Sequence, residues 1–355
     1  MTRPPPSDPV TTEIDERLLS GFTFTCRPDC GLCCYTSPRL DGSDESRLRL
    51  VAPATRVVSH DGERCIAARP DGGACELLEG NRCRAHTGRP APCREFPVSV
   101  HVGVRAQATL VLSCPGLPLD TLDGFSADSI RSPPLGLEAE IRSVQDRAPA
   151  VLERVRADAL RRRRRIARDL GVEGRWVDEE DVLRVLGLGR LVPTAESYVP
   201  GELPTADEGL EPLPMCFDGR SGPVALAQSP GGWEALEVFA EGGARSLGVA
   251  VPSGQPPALD PEAERLLEGY LHYFLARDGF LAAVHLDMAR FAGGTVTEVA
   301  LEELHRIGSD VLARGAVLAQ LHGESGARLS RADVERGIRA TDQDWLDRPT
   351  WGRRL

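Results

Sequence analysis

The plainest pattern in the chain is an alternation. Val98, Val100, Val102 and Val104 take turns with Ser99, His101, Gly103 and Arg105, the period of two expected of a half-buried strand. A second apolar stretch, Ala108 to Leu112, follows at once and leads into Cys114, so the two predict a β-hairpin that carries the cysteine towards its neighbours. Residues 136–170 change to a helical period, with Val151, Val155, Ile166 and Leu170 as a sparse apolar stripe and an expected break near Pro149. A short helix is expected from Asp178 to Leu186, and a proline-rich linker over 191–215. Three strand-like runs follow, at Val224–Gln228, Trp233–Ala240 and Leu247–Pro252, separated by Gly-containing turns that suggest a small antiparallel meander.

The last hundred residues read as helices with clear starts. Asp260-Pro261 is an N-cap followed by a first-turn proline, with Leu267, Leu271, Phe274 and Leu275 on one face. Thr295 and Glu298 match a capping box ahead of Leu301, Leu304, Ile307, Val311 and Leu318, and Ser330 with Asp333 marks another helix start. The fold class is therefore α+β. A small cysteine-rich module with a β-hairpin comes first, stabilised by metal, and a mainly helical region with a small antiparallel sheet follows. Residues 1–21 read as a flexible leader, 22–118 as the cysteine module, 136–190 as a helical segment, and 216–355 as the meander with the C-terminal helices.

Composition sharpens this picture. A chain of 355 residues with 41% hydrophobic content can bury ordinary cores, and two domains are the default for its length. No apolar run reaches the ~18 residues needed to span a bilayer, and Met1 to Gly21 lacks a signal-peptide core, which together place the protein in the cytoplasm away from membranes. The net charge of −11 argues against general nucleic-acid affinity. The run Arg161–Arg165 reads as a solvated helix face or a protein contact, since Glu153, Asp158 and Asp169 lie beside it. All 42 basic residues are arginine, so no lysine is present to act as a Schiff base or to bind phosphate. No phosphate-binding glycine loop and no Ser–His–carboxylate spacing is found.

The chemistry lies in the cysteines. Eight of ten form a spaced framework from Cys26 to Cys114: Cys26, Cys30, Cys33, Cys34, Cys75, Cys83, Cys93 and Cys114. Cytosolic thiols stay reduced, so this framework points to metal or catalysis before disulfides. Thiolates are soft ligands suited to zinc, copper(I) and iron–sulfur clusters, and four of them satisfy one zinc ion or one four-iron cluster. Eight allow two such sites, or one site with redox or structural thiols. The adjacent pair Cys33–Cys34 cannot easily serve one small ion, which favours two nearby sites or a spare thiol. Arg82, Arg84, Arg89 and Arg94 flank these cysteines and could offset thiolate charge, with Arg89 the one expected to make a structural contact instead. Cys216 reads as a small buried hydrophobe, Cys65 as a structural thiol, and His86 as packing or ligating. His60, His101, His272 and His285 carry no telling spacing.

The spacing Cys26-x3-Cys30-x2-Cys33 matches the cluster loop of radical S-adenosylmethionine enzymes, but a second cysteine cluster follows it here where those enzymes have repeated strand–helix units. A more specific likeness includes Cys75-Glu-Leu-Leu-Glu-Gly-Asn-Arg-Cys83 and the run from Cys83 through His86, Arg89-Pro90 and Cys93 to Phe96-Pro97, closed by Cys114-Pro115-Gly116. With Cys26 to Cys34 these residues resemble the CxxCxxCC cysteine-cluster family, also called YkgJ-like, over roughly residues 22–118. That resemblance implies a zinc- or iron-chelating domain, with a [4Fe-4S] cluster or zinc held by the eight cysteines. The same cluster is found in flagellin lysine N-methylases, and the segment Leu267 to Leu275 is loosely similar to their helical part. This second resemblance implies methyl transfer from S-adenosylmethionine to a protein lysine as one alternative, and a structural zinc module presenting the helices to a protein partner as another.

Overall fold

The computed structural model describes residues 14–27, 30–35, 38–60, 63–70, 73–80, 82–125, 136–169, 191–205, 213–217, 222–288, 294–324, 327–346 and 353–354. In chain order the strands are β1 Ile14–Asp15, β2 Val57–His60, β3 Glu63–Ile66, β4 Leu78–Glu79, β5 Arg82–Cys83, β6 Val98–Val102, β7 Ala106–Leu110, β8 Met215–Phe217, β9 Pro223–Ser229, β10 Gly232–Val238, β11 Ala244–Ala250 and β12 Arg353–Arg354. The helices are α1 Gly42–Val51, α2 Ala91–Glu95, α3 Glu138–Asp169, α4 Pro261–Leu275, α5 Asp278–Asp287, α6 Val296–Leu321 and α7 Arg331–Leu346. This is the mixed α+β architecture that the patterning predicts. The helix expected at Asp178–Leu186 lies outside the described residues.

β6 and β7 form the expected hairpin, and β1 and β12 extend it into a four-stranded sheet ordered β1-β7-β6-β12. The alternation predicts one wet face, yet every residue of both strands is buried. The polar face, Ser99, His101, Gln107 and Thr109, is covered by the corner between α4 and α5. There Thr109 shares a 3.0 Å hydrogen bond with the Tyr273 hydroxyl, and Gln107 donates to the Ala276 carbonyl and accepts from the Asp278 N–H. Burial of Gln107 and Thr109 is tolerated because each gains a partner.

At that corner Arg277 and Asp342 form an ion pair with side chains 1% and 0% exposed. Arg277 also donates to Thr109 and to the Leu110 carbonyl, and stacks over Tyr273 and Phe274. Asp342 accepts further bonds from the Leu112 N–H and the Tyr270 hydroxyl. Two charges taken out of water require this degree of hydrogen bonding to be held there.

α3 runs unbroken through Pro149. Proline removes the N–H that would have met the Gln145 carbonyl, and Gln145 lies on the exposed side of the helix, where a carbonyl without that partner is least costly. The meander is four-stranded, ordered β11-β10-β9-β8. Residues 191–205 run without regular structure and bury Leu191, Val192, Tyr198 and Leu203 in the main core, with the Gly201 N–H bonded to Asp310 of α6 at 2.6 Å. The helix starts match their sequence signals: Asp260 accepts from the Ala263 N–H, and Thr295 and Glu298 complete the capping box. Among the described residues, no helix is long and apolar enough to cross a membrane.

The main core joins the β6–β7 hairpin, the first half of α3, the meander and α4–α7. The segment between Leu40 and Ala85 has a separate core of six buried residues: Leu48, Ala52, Ile66, Cys75, Leu77 and Ala85. That second core is where the cysteines gather.

Candidate metal centre

Five stretches of chain deliver the eight thiols. The first, Phe24 to Arg27, is anchored by the Thr25 N–H to the Gly116 carbonyl at 3.0 Å and presents Cys26 to solvent. A Cβ on Gly116 would lie 2.6 Å from the Thr25 carbonyl oxygen, so only glycine lets the Cys114 turn come this close to the Cys26 strand. The second stretch turns at Gly31, whose φ of 60° is left-handed, and sets Cys33 and Cys34 on a single 3-10 turn, Leu32–Cys34, over the buried Leu32.

The third stretch is tied directly to the second, because the Cys75 N–H donates to the Cys34 carbonyl at 2.6 Å. Cys83 sits on β5 of the tight β4–β5 ladder, and Cys93 on α2. The N-terminus of α2 is capped by the buried Asp44 of α1, which accepts from the Ala91 N–H at 3.1 Å. Its last residue, Glu95, is gripped by Ser143 and Arg147 of α3. Cys114 follows β7 in the turn after the hairpin, as the patterning predicts.

The thiols lie within one another's electrostatic reach. Cys26, Cys30 and Cys33 act on one another, and Cys114 feels Cys30 and Cys33. Cys34 feels Cys75 and Cys83, Cys75 feels Cys83, and Cys93 feels Cys33, Cys75 and Cys83, while Cys83 feels Cys33. Cys33 touches both sets: the Cys34 thiol donates to its sulfur, holding Cys33 below the ordinary thiol range and Cys34 far above it. Burial first, and neighbouring sulfurs after it, lift Cys30 and Cys75 to about 11 and Cys114 to about 12.

Against this, four sulfurs receive a backbone N–H from the residue two positions on. Leu32 donates to Cys30 at 3.4 Å, and Leu77, Ala85 and Gly116 donate to Cys75, Cys83 and Cys114. Such bonds favour the thiolate and orient its lone pairs. Five guanidinium groups add to them: Arg89 acts on Cys26, Cys33, Cys83 and Cys93, Arg27 on Cys30, Arg84 on Cys83, Arg69 on Cys75 and Arg339 on Cys114. A chain of net charge −11 thus places cations around its sulfurs. The donor set is soft and all-sulfur, which fits zinc or an iron–sulfur cluster. Among the described residues, no three His, Cys, Asp or Glu side chains close into a ligand cage.

Residues 25–115 match the family model CxxCxxCC, described as a "putative zinc- or iron-chelating domain". This segment is a CxxCxxCC domain. The match covers about a quarter of the chain, and no curated protein or solved structure matches it.

Around the CxxCxxCC domain some neighbours meet their sequence expectations and others go beyond them. Arg89 makes the structural contact expected of it, its Nε donating to the His86 carbonyl at 3.2 Å, and its charge in addition acts on four of the thiols, whereas Arg94 bonds the Arg89 carbonyl and lies near Asp44. His86 is exposed in its turn. Cys65 is buried in the β2–β3 ladder and Cys216 is buried in the main core, as expected; none of the ten cysteines is in a disulfide. Arg69 and Arg339 carried no sequence signal. Their charge reaches the thiols only once the chain has folded, and Arg339 is 225 positions from Cys114.

Proposed function

We propose that the CxxCxxCC domain chelates iron or zinc in two neighbouring four-thiolate groups. Cys26, Cys30, Cys33 and Cys114 form the first, and Cys34, Cys75, Cys83 and Cys93 the second. The observation that carries this reading is how the sulfurs neighbour one another: Cys33 acts on Cys26, Cys30 and Cys114, Cys75 and Cys83 act on Cys34 and Cys93, and Cys33, which also acts on Cys83 and Cys93, stands beside Cys34 at the junction. It answers the steric difficulty of adjacent cysteines, since each faces its own group.

The i+2 N–H···S bonds and the five arginines support the same reading. Four thiolates around zinc, or around an oxidised four-iron cluster, leave a charge near −2 that needs such compensation. A bound cluster supplies one-electron chemistry; bound zinc supplies folding energy. The chain's own contribution is to hold the sulfurs and to keep most of them out of water. Of the two metals we favour the iron–sulfur cluster for the first group, because Cys26 opens it to solvent and to a reaction partner, whereas a closed zinc site is a structural device.

Purification without oxygen, followed by metal and acid-labile sulfide analysis and electron paramagnetic resonance, tests this. Iron with sulfide and a signal on reduction is expected. Zinc alone at two ions per chain would keep chelation and remove the cluster; a folded chain with neither metal would overturn chelation itself.

A further inference from the structure

Four of the arginines beside the thiols belong to the CxxCxxCC domain; the fifth, Arg339, belongs to α7. It is 6% exposed. One guanidinium nitrogen donates to the carbonyls of Leu112 (3.2 Å) and Cys114 (2.5 Å), and the other to the Leu117 carbonyl (2.9 Å) and to Glu335 (2.6 Å). The same helix holds the segment at two more points. Asp342 accepts the Leu112 N–H at 2.7 Å, and the Gln343 N–H donates to the Ser113 hydroxyl at 3.1 Å. The turn that carries Cys114 is therefore fastened along its length to the C-terminal helix. No other group in that turn has the planar fork needed to serve three carbonyls while still offering charge to a sulfur.

Building on the chelation reading, we infer that Arg339 is a positioning residue of the metal centre. It fixes the backbone of one ligand, Cys114, and offsets the charge of its group, so that metal binding and the docking of α7 stabilise each other. Two events that share one clamp are linked, and each strengthens the other by the same factor. The helical half would then sense whether the first thiol group is loaded.

The test follows metal release from the full chain, without oxygen, to 4-(2-pyridylazo)resorcinol, which reports both zinc and iron(II). Arg339→Gln is expected to speed release of about half the metal by roughly ten- to a hundredfold, the range usual for partners that orient a ligand. The other half should leave at the wild-type rate. Arg339→Lys, which keeps the charge and loses the fork, should fall between the two. The rise in melting temperature on metal loading should shrink in both variants. If Arg339 is only a structural brace, the variants melt lower by the same amount loaded or stripped and release metal as the wild type does, which overturns the inference. Should Arg339→Gln not fold, Arg339→Lys is read by the same criterion. Metal-free wild-type protein would defeat the chelation reading; loaded wild type with unaltered variant kinetics defeats this inference alone.

Discussion

The two halves of this chain solve the same problem with different materials. Beyond residue 222 the core is hydrocarbon: Leu266, Tyr270, Phe274, Leu304, Val311 and Ile338 are all sealed from water. Around the cysteines, by contrast, the separate apolar cluster among the described residues has six buried members, and one of them is Cys75. A core of that size rarely supplies more than about 3–5 kcal/mol, little against the entropy of ordering so much loop. On the chelation proposed above, sulfur and metal take over where side chains are too few, and the local fold becomes conditional on an ion. The hairpin β6–β7 belongs to both halves, since it is part of the hydrocarbon core yet delivers Cys114.

That contrast is most sharply tested by chelation. Stripping metal should lower amide-exchange protection in β4–β5, residues 32–34 and α2 well below that of the loaded protein, while α4, α6 and α7 keep theirs. Uniform loss or uniform retention would mean that the halves do not differ in what holds them.

Next in size is the buried ion pair. Asp342→Ala leaves Arg277 charged and unpartnered, and should cost about 3–5 kcal/mol of global stability in a denaturant titration. A loss below 1 kcal/mol would show that water reaches the pair.

Acid and alkali should find the two halves at opposite ends. Burial pushes His285 down to about 4, so neutral imidazole is favoured in the fold. The unfolded chain binds that proton first as pH falls, and stability is lost between about 6.5 and 4. The thiols act in the other direction: Cys30 and Cys75 are raised from about 9 to about 11, so the unfolded chain ionises first. Metal-free protein should lose stability as pH rises from about 9 to 11. Loaded protein, with its thiolates already formed, should not show this alkaline step. A melting series across pH, with and without metal, checks both.

The smallest effect expected is at a helix start. Thr295→Ala removes a cap on α6 and should cost about 1 kcal/mol whether or not metal is bound.

How much of this was legible depends on distance along the chain. The thiols could be read because ligand residues are chemically restricted and their spacings are local. The hairpin and the capped helices could be read for the same reason. What stayed hidden is what the fold brings from afar. Ser99 and His101 alternate with valines as a wet face would, because nothing nearby in sequence shows that the corner at Arg277 covers them together with Gln107 and Thr109. Arg89 read as a motif contact because its charge reaches the sulfurs only in three dimensions. Pro149 read as a break because the exposure of Gln145, which makes it harmless, depends on tertiary packing.

The central claim is that sulfur alone surrounds the bound metal. X-ray absorption at the metal edge of anaerobically isolated protein measures this directly. The account predicts a first shell of four sulfur atoms per metal at about 2.3 Å. A shell dominated by nitrogen or oxygen would contradict it.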